Sequence, residues 1–195
     1  NTSNFEIGSV GPAGGYVFYD QGSVINGWRY LEVAPSDIST GAEWGCSGTN
    51  ISGILNSIGT GQSNTNLIIA ACSTSGIASK LCDQATINGF SDWYLPSKDE
   101  FNQIYQNIFL RGIGDFAPNS NSYNRYWTSS QAAPQNGWAQ DFTPYYQQVN
   151  GKSELGRVRP IRSFVGNVVS YLWSTGETTP LINPTPTQTT DYWVD

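Results

Sequence analysis

One segment, GFSDWYLPSKDEFNQIYQNIF (89–109), fixes where a strand must end and where a helix must begin. Pro96 cannot donate to a sheet ladder and favours extended geometry before it, so residues 93–95 are predicted to form a buried strand end. Ser97 and Glu100 have the spacing of a capping box. Apolar residues then recur at helical spacing, at Phe101, Ile104, Tyr105 and Ile108. The pattern predicts a helix whose apolar face packs on a sheet.

Two segments rich in aromatic and β-branched residues, YVFYD (16–20) and WRYLEVA (28–34), are predicted to pair as a hairpin. The connection between them is read as a long loop that contains the turn dipeptide Asn26-Gly27. Residues 35–62, which are rich in Ser, Thr and Gly, are predicted to be mostly loop.

Two short helices are predicted next, in SNTNLIIAAC (63–72) and SGIASKLCDQ (75–84). Ser63 or Asn64 is the expected N-cap of the first. Its expected buried residues are Leu67, Ile68 and Ala71.

The second half of the chain contains short strand-like segments separated by Gly, Pro and Asn turns. They are YWTSS (126–130), GWAQDF (137–142), YQQVN (146–150) and GRVRPIRSF (156–164). Paired strands, then helices, then a meander of strands predict an α+β fold with antiparallel sheet.

The chain has three cysteines, which permit one disulfide at most. Cys82 shares a predicted helical face with Ala78, Leu81 and Ala85, so we expect it to be a buried free thiol. The expected disulfide then joins Cys46 to Cys72, and a bridge between Cys72 and Cys82 is the alternative.

Charge excludes nucleic acid as the main ligand. The net charge is −6, and the whole chain contains nine Lys and Arg residues, whereas binding to phosphate backbones needs clustered cations. No apolar run is long enough to cross a bilayer, so no membrane insertion is predicted. The start at Asn1 without a signal peptide, the lack of Met and the Asn, Ser, Thr and aromatic bias are interpreted as a processed, exported protein.

The chain has no histidine, which excludes Ser-His-Asp and Cys-His nucleophiles and every metal site that contains His. A glycosidase would instead need two facing acids. The candidate acids are Asp92, Asp99, Glu100, Asp115 and Asp141. Glu100 is better explained as a helix cap and Asp92 as a turn or network residue, so the protein is predicted not to be an enzyme.

Several ordered segments resemble the Lcl C-terminal domain family, a group of exported bacterial domains named for a collagen-like adhesin. They are GPAGGYVFYD (11–20), GWRYLEVAPSD (27–37), EWGC (43–46), IGTGQSNTNLIIA (58–70), NGFSDWYLPSKDEFNQIY (88–105), YWTSS (126–130), WAQDF (138–142) and VRPIRSF (158–164). The resemblance covers about residues 8–164. It implies a C-type-lectin-like fold, with antiparallel sheets and two to three helices, at the cell surface or in the secreted fraction.

The same resemblance raises the question of whether a calcium ion is bound at the ligand site. Many C-type lectins hold sugar through a calcium ion bound by EPN or QPD and a later WND, and the nearest segments here, APQNG (133–137) and WAQD (138–141), do not match them. No metal is therefore predicted at the ligand site, while a structural Ca²⁺ elsewhere stays open. Lectin-like folds also include oxidases that act through paired cysteines, but no cysteine segment here resembles their site.

The composition changes near residue 165. Thr, Pro and Ser dominate between the predicted strands VVSYLWS (168–174) and DYWV (191–194). This tail resembles part of an immunoglobulin-like or PKD-like bacterial surface repeat, but it can supply too few strands for a full sandwich. We therefore expect a lectin-like domain at 1–164 and a partial all-β segment at 165–195. We expect the chain to belong to a longer protein; the alternative is that its tail borrows strands from a neighbour, such as a second copy in a homo-oligomer.

Two polar, Tyr-rich segments, NSNSYNRY (119–126) and TPYYQQVN (143–150), are predicted to be the ligand-binding loops. The candidate contacts are Asn119, Asn121, Tyr123, Asn124, Arg125, Tyr126, Tyr145, Tyr146, Gln147, Gln148 and Asn150. Trp127 and Trp138 are expected in the core. Arg157, Arg159 and Arg162 are expected to pair with acids, with a sulfated glycan as the alternative partner.

These features predict a non-enzymatic recognition or adhesion module of an exported bacterial surface protein, with a glycan or a protein as its ligand. One alternative is a variable protein of a diversity-generating retroelement, because adenine-directed mutagenesis yields the Asn, Ser and Tyr seen in NSNSYNRY. Another is a structural subunit or spacer of a larger extracellular assembly.

Overall fold

The computed structural model describes residues 4–117, 124–142 and 145–166. Within these ranges the fold is α+β, as predicted, and residues Phe5–Val165 form one compact unit. The strands predicted at 168–174 and 191–194 lie outside the described residues. The elements are β1 (Tyr16–Ile25), β2 (Trp28–Val33), β3 (Ser39–Glu43), α1 (Gly61–Ala71), α2 (Ala78–Asp83), α3 (Lys98–Asn107), a 3-10 turn (Phe109–Arg111), β4 (Tyr126–Ala133), β5 (Asn136–Phe142), β6 (Tyr145–Gly151), β7 (Leu155–Val158) and β8 (Ile161–Phe164).

The smaller sheet is antiparallel, with the strand order β1-β2-β8. Asn26 and Gly27 both have positive φ, 53° and 84°, the combination that a two-residue hairpin turn requires. The long loop expected between the first two strands is therefore wrong, because β1 continues to Ile25, which pairs with Trp28.

The larger sheet has the order β3-β7-β4-β5-β6. Its last three strands form the predicted meander. β3 lies inside the segment that we expected to be loop, and it pairs with β7. Among its residues Ala42 alone is buried, so the sequence lacks the apolar alternation that would have marked a strand.

The segment 156–164, predicted as one strand, is two strands in different sheets. β7 belongs to the larger sheet and β8 to the smaller. Pro160 lies between them, and a proline cannot donate to a ladder, but its carbonyl still accepts from Ala34 N–H at 2.9 Å. The chain thus passes from one sheet to the other at this proline.

Helix α3 confirms the predicted capping box. Glu100 N–H donates to Ser97 Oγ at 3.2 Å, and Ser97 N–H donates to Glu100 Oε2 at 2.6 Å. Phe101, Ile104 and Ile108 are fully buried against β1, β4 and β5. The strand end expected at 93–95 is shorter than predicted, a single bridge between Tyr94 and Ile161.

Helix α1 begins earlier than predicted, after Thr60, and no side chain caps it. Ser63 lies inside the first turn, and Asn64 is fully buried, where it accepts from Leu55 N–H at 2.9 Å and donates to Leu55 O at 2.6 Å. Ile68 is buried as expected, whereas Ala71 is exposed. The inner face of α1 is therefore partly polar, and Asn64 on it bonds the backbone of the preceding loop.

The cysteines follow the prediction: Cys46 and Cys72 form a disulfide, and Cys82 is a buried free thiol. Burial raises the pKa of the Cys82 thiol well above its ordinary value, so the thiol stays protonated. Cys72 and Cys82 belong to a core cluster that also includes Trp44 and Trp127.

The two tryptophans expected in the core differ. Trp127 is fully buried and donates from Nε1 to Ala42 O at 2.8 Å. A Cβ at Gly156 would come within 2.8 Å of that nitrogen, so the indole lies directly against β7. Trp138 is only half-buried, and Lys98 Nζ lies 3.7 Å from the centre of its ring; its assignment to the core is wrong.

None of the helices in the described part of the chain combines the length and the apolar character needed to cross a bilayer.

Candidate functional site

The predicted contact residues divide into three groups. Asn119, Asn121 and Tyr123 lie outside the described residues, and Tyr145 is described only as a backbone position of β6. Asn124 and Arg125 directly precede β4, and Tyr126 is its first residue. Tyr146, Gln147, Gln148 and Asn150 lie on β6, which pairs with β5 along its whole length.

Tyr126 is not a surface residue. Its side chain is fully buried, and its hydroxyl accepts from Ala117 N–H at 2.8 Å and donates to Asp37 Oδ2 at 3.1 Å. Burial raises the pKa of Tyr126 to about 12. Its prediction as a ligand contact is corrected, because the ring fills the core beside Phe101 and Phe142.

Gln147 and Asn124 hold the fold together through their amides. Gln147 Nε2 donates to Lys98 O at 2.7 Å and so ties β6 to the start of α3. Asn124 Oδ1 accepts from Arg157 Nε at 3.2 Å.

The other candidates on β6 are Tyr146, Gln148 and Asn150. They lie on the face opposite to Gln147, because residues that alternate along a strand point to one side. Asp141 pairs with Tyr146, Ala139 with Gln148, and Gly137 with Asn150. Arg125 lies at the same end of the sheet as Asp141, and Glu154 contacts Arg125. We name the set the β6 face, and it comprises Arg125, Asp141, Tyr146, Gln148, Asn150 and Glu154.

Two charged side chains border the β6 face. Arg125 is 5% exposed, and its Nη1 lies 2.6 Å from Oε2 of Glu154, whose side chain is 49% exposed. The second carboxylate oxygen of Glu154 accepts from Gly151 N–H at 3.0 Å. This pair fixes the turn that follows β6.

Asp141 is the most unusual residue of the face. Burial raises the pKa of its carboxyl, while the nearby Arg125 charge and the Tyr146 hydroxyl act in the lowering direction. Gln148 Nε2 donates to Asp141 Oδ2. Within 4–117, 124–142 and 145–166, the other carboxylate oxygen, Oδ1, is buried without a hydrogen-bond partner, and so is Asn150 Oδ1.

Two unpartnered acceptors on one face need donors, since a buried oxygen without a hydrogen bond costs about 1–3 kcal/mol. Tyr146, which is 42% exposed, adds an aromatic ring and a hydroxyl beside them. The arrangement is suited to a ligand that brings hydroxyl or N–H groups. In the described part of the chain, no cluster of three or more acidic or cysteine side chains could hold a metal ion.

Two of the other acids considered for catalysis, Asp92 and Glu100, have structural partners. Asp92 forms a salt bridge with Arg162 at 2.8 Å. Glu100 is fully buried and accepts from Gly59 N–H at 2.8 Å as well as capping α3.

The three arginines of the last strands pair with acids, as predicted. Arg157 and Arg159 both reach Asp37, at 2.9 and 2.5 Å. Arg162 contacts Glu32 at 3.3 Å in addition to Asp92.

From the sequence, Asp141 is a candidate only as a catalytic acid, and Glu154 is not a candidate for any role. The alternation in β5 was a usable signal for Asp141, since it shares a face with the buried Ala139. The sequence contains no comparable signal for Glu154, because its partner Arg125 is distant in the sequence.

A scan of the chain against models of protein families finds no match, and no curated protein is significantly similar to it in sequence.

Proposed function

We propose that the Phe5–Val165 unit is a non-enzymatic recognition module of an exported bacterial surface protein, and that it binds a glycan or a protein through the β6 face. The resemblance to the Lcl C-terminal domain family, with its C-type-lectin-like fold, supports the class of protein. The disulfide between Cys46 and Cys72 supports an oxidising compartment outside the cytosol.

The observation that carries the proposal is the pair of buried, unpartnered oxygens, Asp141 Oδ1 and Asn150 Oδ1. Both lie on one face with the exposed Tyr146. Asp141 is 0% exposed, so a ligand reaches its carboxylate only when Gln148 or Tyr146, which both bond it, moves aside. A glycan hydroxyl or a protein N–H that then donates to these oxygens removes their desolvation cost, and the Tyr146 ring supplies rigid apolar contact area.

A non-catalytic role is supported by the sequence and by the acids. The chain has no histidine to serve as a general base. Asp141, the one candidate acid on the β6 face, accepts a hydrogen bond from Gln148 and lies beside a cation rather than a second free carboxylate.

The test compares glycan-array and protein pull-down profiles of the whole chain with those of Tyr146→Ala/Gln148→Ala. We expect the double variant to lose binding by about tenfold or more, because aromatic contacts and their hydrogen bonds carry most of the energy of small sites. The readout is binding strength for each array member and each captured protein.

Val149→Ala is the matched control. Val149 directly follows Gln148 on the same strand and is 46% exposed, but it pairs with Trp138 on the opposite face. Unchanged binding in Val149→Ala together with loss in the double variant supports the β6 face. Equal profiles for the wild type and the double variant reject it.

A further inference from the structure

A groove separate from the β6 face opens between the β1–β2 hairpin and the start of α1. Its volume is about 580 Å³, within the range of about 300–1,000 Å³ that holds small ligands. Its lining includes Gln21, Asn26, Trp28, Gly59, Gln62 and Asn66. We name it the Trp28 groove.

The lining is uncharged. Among the described residues that form the groove there is no Asp, Glu, Lys or Arg, although the chain as a whole carries a net charge of −6. An ionic ligand would lose water here without gaining a counter-charge. A neutral ligand with many hydrogen-bonding groups fits this lining.

Trp28 gives the groove an aromatic surface. Its indole is half-buried and lies beside the Tyr19 ring, at 6.3 Å between centroids. Nε1 makes no hydrogen bond to any described residue, so its N–H is available to a ligand. The hairpin side of the groove is fixed because Gln21 Nε2 donates to the Trp28 carbonyl.

The facing wall is also fixed before any ligand arrives. Gly59 has a φ of +85°, and a Cβ there would lie 3.2 Å from Trp28 Cζ2, so the loop can approach the indole only as glycine. The Gly59 N–H donates to the buried Glu100 at 2.8 Å. A groove with both walls held loses little conformational freedom on binding.

Amide side chains form the rim. Gln62 Nε2 donates to Asn66 Oδ1 at 3.2 Å, which leaves Gln62 Oε1 and Asn66 Nδ2 for other partners. Asn26 is exposed at the hairpin turn. An amide donates and accepts at once, which matches the paired hydroxyls of a sugar ring.

We propose that the Trp28 groove binds a neutral oligosaccharide, with one sugar ring against the Trp28 indole and its hydroxyls bonded to the amides of Asn26, Gln62 and Asn66. The volume accommodates more than one ring. The Trp28 groove shares no residue with the β6 face, so an experiment can reject either proposal without rejecting the other.

The test titrates neutral di- to tetrasaccharides of glucose, galactose, mannose and N-acetylglucosamine into the ¹⁵N-labelled chain. The indole N–H signal of Trp28, assigned as the one missing from Trp28→Phe, reports the groove directly. We expect at least one neutral sugar to shift this signal saturably, and sialylated or sulfated sugars of equal length to bind at least about tenfold more weakly.

The variants separate binding from folding. Gln62→Ala/Asn66→Ala alters two exposed side chains and keeps the core intact, and we expect it to weaken binding about tenfold or more. Trp138→Ala, which removes a half-buried indole outside the groove, should leave the Trp28 shift unchanged.

The proposal is overturned if no neutral sugar in the panel shifts the Trp28 signal, or if acidic sugars or a short peptide mixture shift it more strongly. It is equally overturned if the amide double variant binds with wild-type affinity. Loss of the Trp28 shift in Trp138→Ala would also count against the groove, because Trp138 does not line it.

Discussion

Asp37 shows how a single residue can determine the roles of several others. Its carboxylate contacts Arg157 and Arg159 and accepts from the Tyr126 hydroxyl. The Arg159 side chain is 1% exposed, so its charge depends on this partner and on the backbone carbonyls of Ala34 and Gly114. Removing one member of such a pair leaves a buried charge uncompensated.

We therefore expect Asp37→Ala to lower the free energy of unfolding by about 3–5 kcal/mol. Asp20→Ala is the control, because Asp20 pairs with Arg29 at 2.8 Å where about a quarter of each side chain is exposed. A pair of that kind contributes about 0–1 kcal/mol. Urea unfolding of both variants measures the difference, and equal losses would contradict the assignment.

At the residue scale the sequence predicted the type of partner but not its identity. Arg157 and Arg159 were expected to pair with acids, yet Asp37 is about 120 positions away in the chain. Tyr126 was misassigned because β4 begins with five buried residues, Tyr126 to Ser130. Where both faces of a strand are covered, alternation does not show which side chain reaches solvent.

Helices α1 and α3 differ in how their first turns are satisfied. Ser97 and Glu100 exchange two hydrogen bonds at the start of α3. No side chain caps α1, and Ser63, expected as its cap, donates from Oγ to Thr60 O at 2.9 Å within the first turn.

We expect Ser97→Ala to cost about 1–2 kcal/mol of unfolding free energy, since it removes the cap acceptor and the bond to Ser57 O. Ser63→Ala should change it by less than about 0.5 kcal/mol, because alanine is the better helix former at an exposed position. Thermal and urea unfolding report both values. A loss in Ser63→Ala as large as in Ser97→Ala would place the cap of α1 at Ser63 after all.

At the element scale, segments with a strong local signal were found and those defined by distant neighbours were not. α3 has a cap and a helical apolar period, and β4, β5 and β6 are bounded by turn residues. β3 has one buried residue and exists through its pairing with β7. The division of 156–164 into β7 and β8 depends on two separate sheets, which no local pattern reveals.

At the scale of the whole molecule, both candidate sites assemble from segments far apart in the sequence. The β6 face combines residues from 125 to 154, of which Arg125, Tyr146, Gln148 and Asn150 were predicted. The Trp28 groove brings Trp28 together with Tyr94 and Ser163, and sequence reasoning missed it, because nothing local to Trp28 indicates that α1 begins beside it.

Glu100 makes the stability of the whole unit depend on pH. Burial, opposed by hydrogen bonds from the backbone N–H groups of Ser97, Gly59 and Gly61, raises the pKa of Glu100 from 4.5 to about 7. Between these values the folded chain retains a proton that the unfolded chain has lost, so stability falls as pH rises. With no histidine in the sequence, few other groups titrate in this window.

We expect the free energy of unfolding to be about 2 kcal/mol lower at pH 7.5 than at pH 5. Asp141 and Glu32, whose pKa values are also raised by burial, act in the same direction. Glu100→Gln should be less stable at pH 5 but should show a much flatter dependence. Urea titrations across this range measure both slopes, and a wild-type protein more stable at pH 7.5 than at pH 5 would contradict the assignment.

The Phe5 and Phe164 rings lie 5.1 Å apart and both contact Tyr30. The polypeptide thus enters and leaves the unit at adjoining points. If the unit were inserted into another polypeptide at these two points, it would therefore add little to the end-to-end length of that polypeptide.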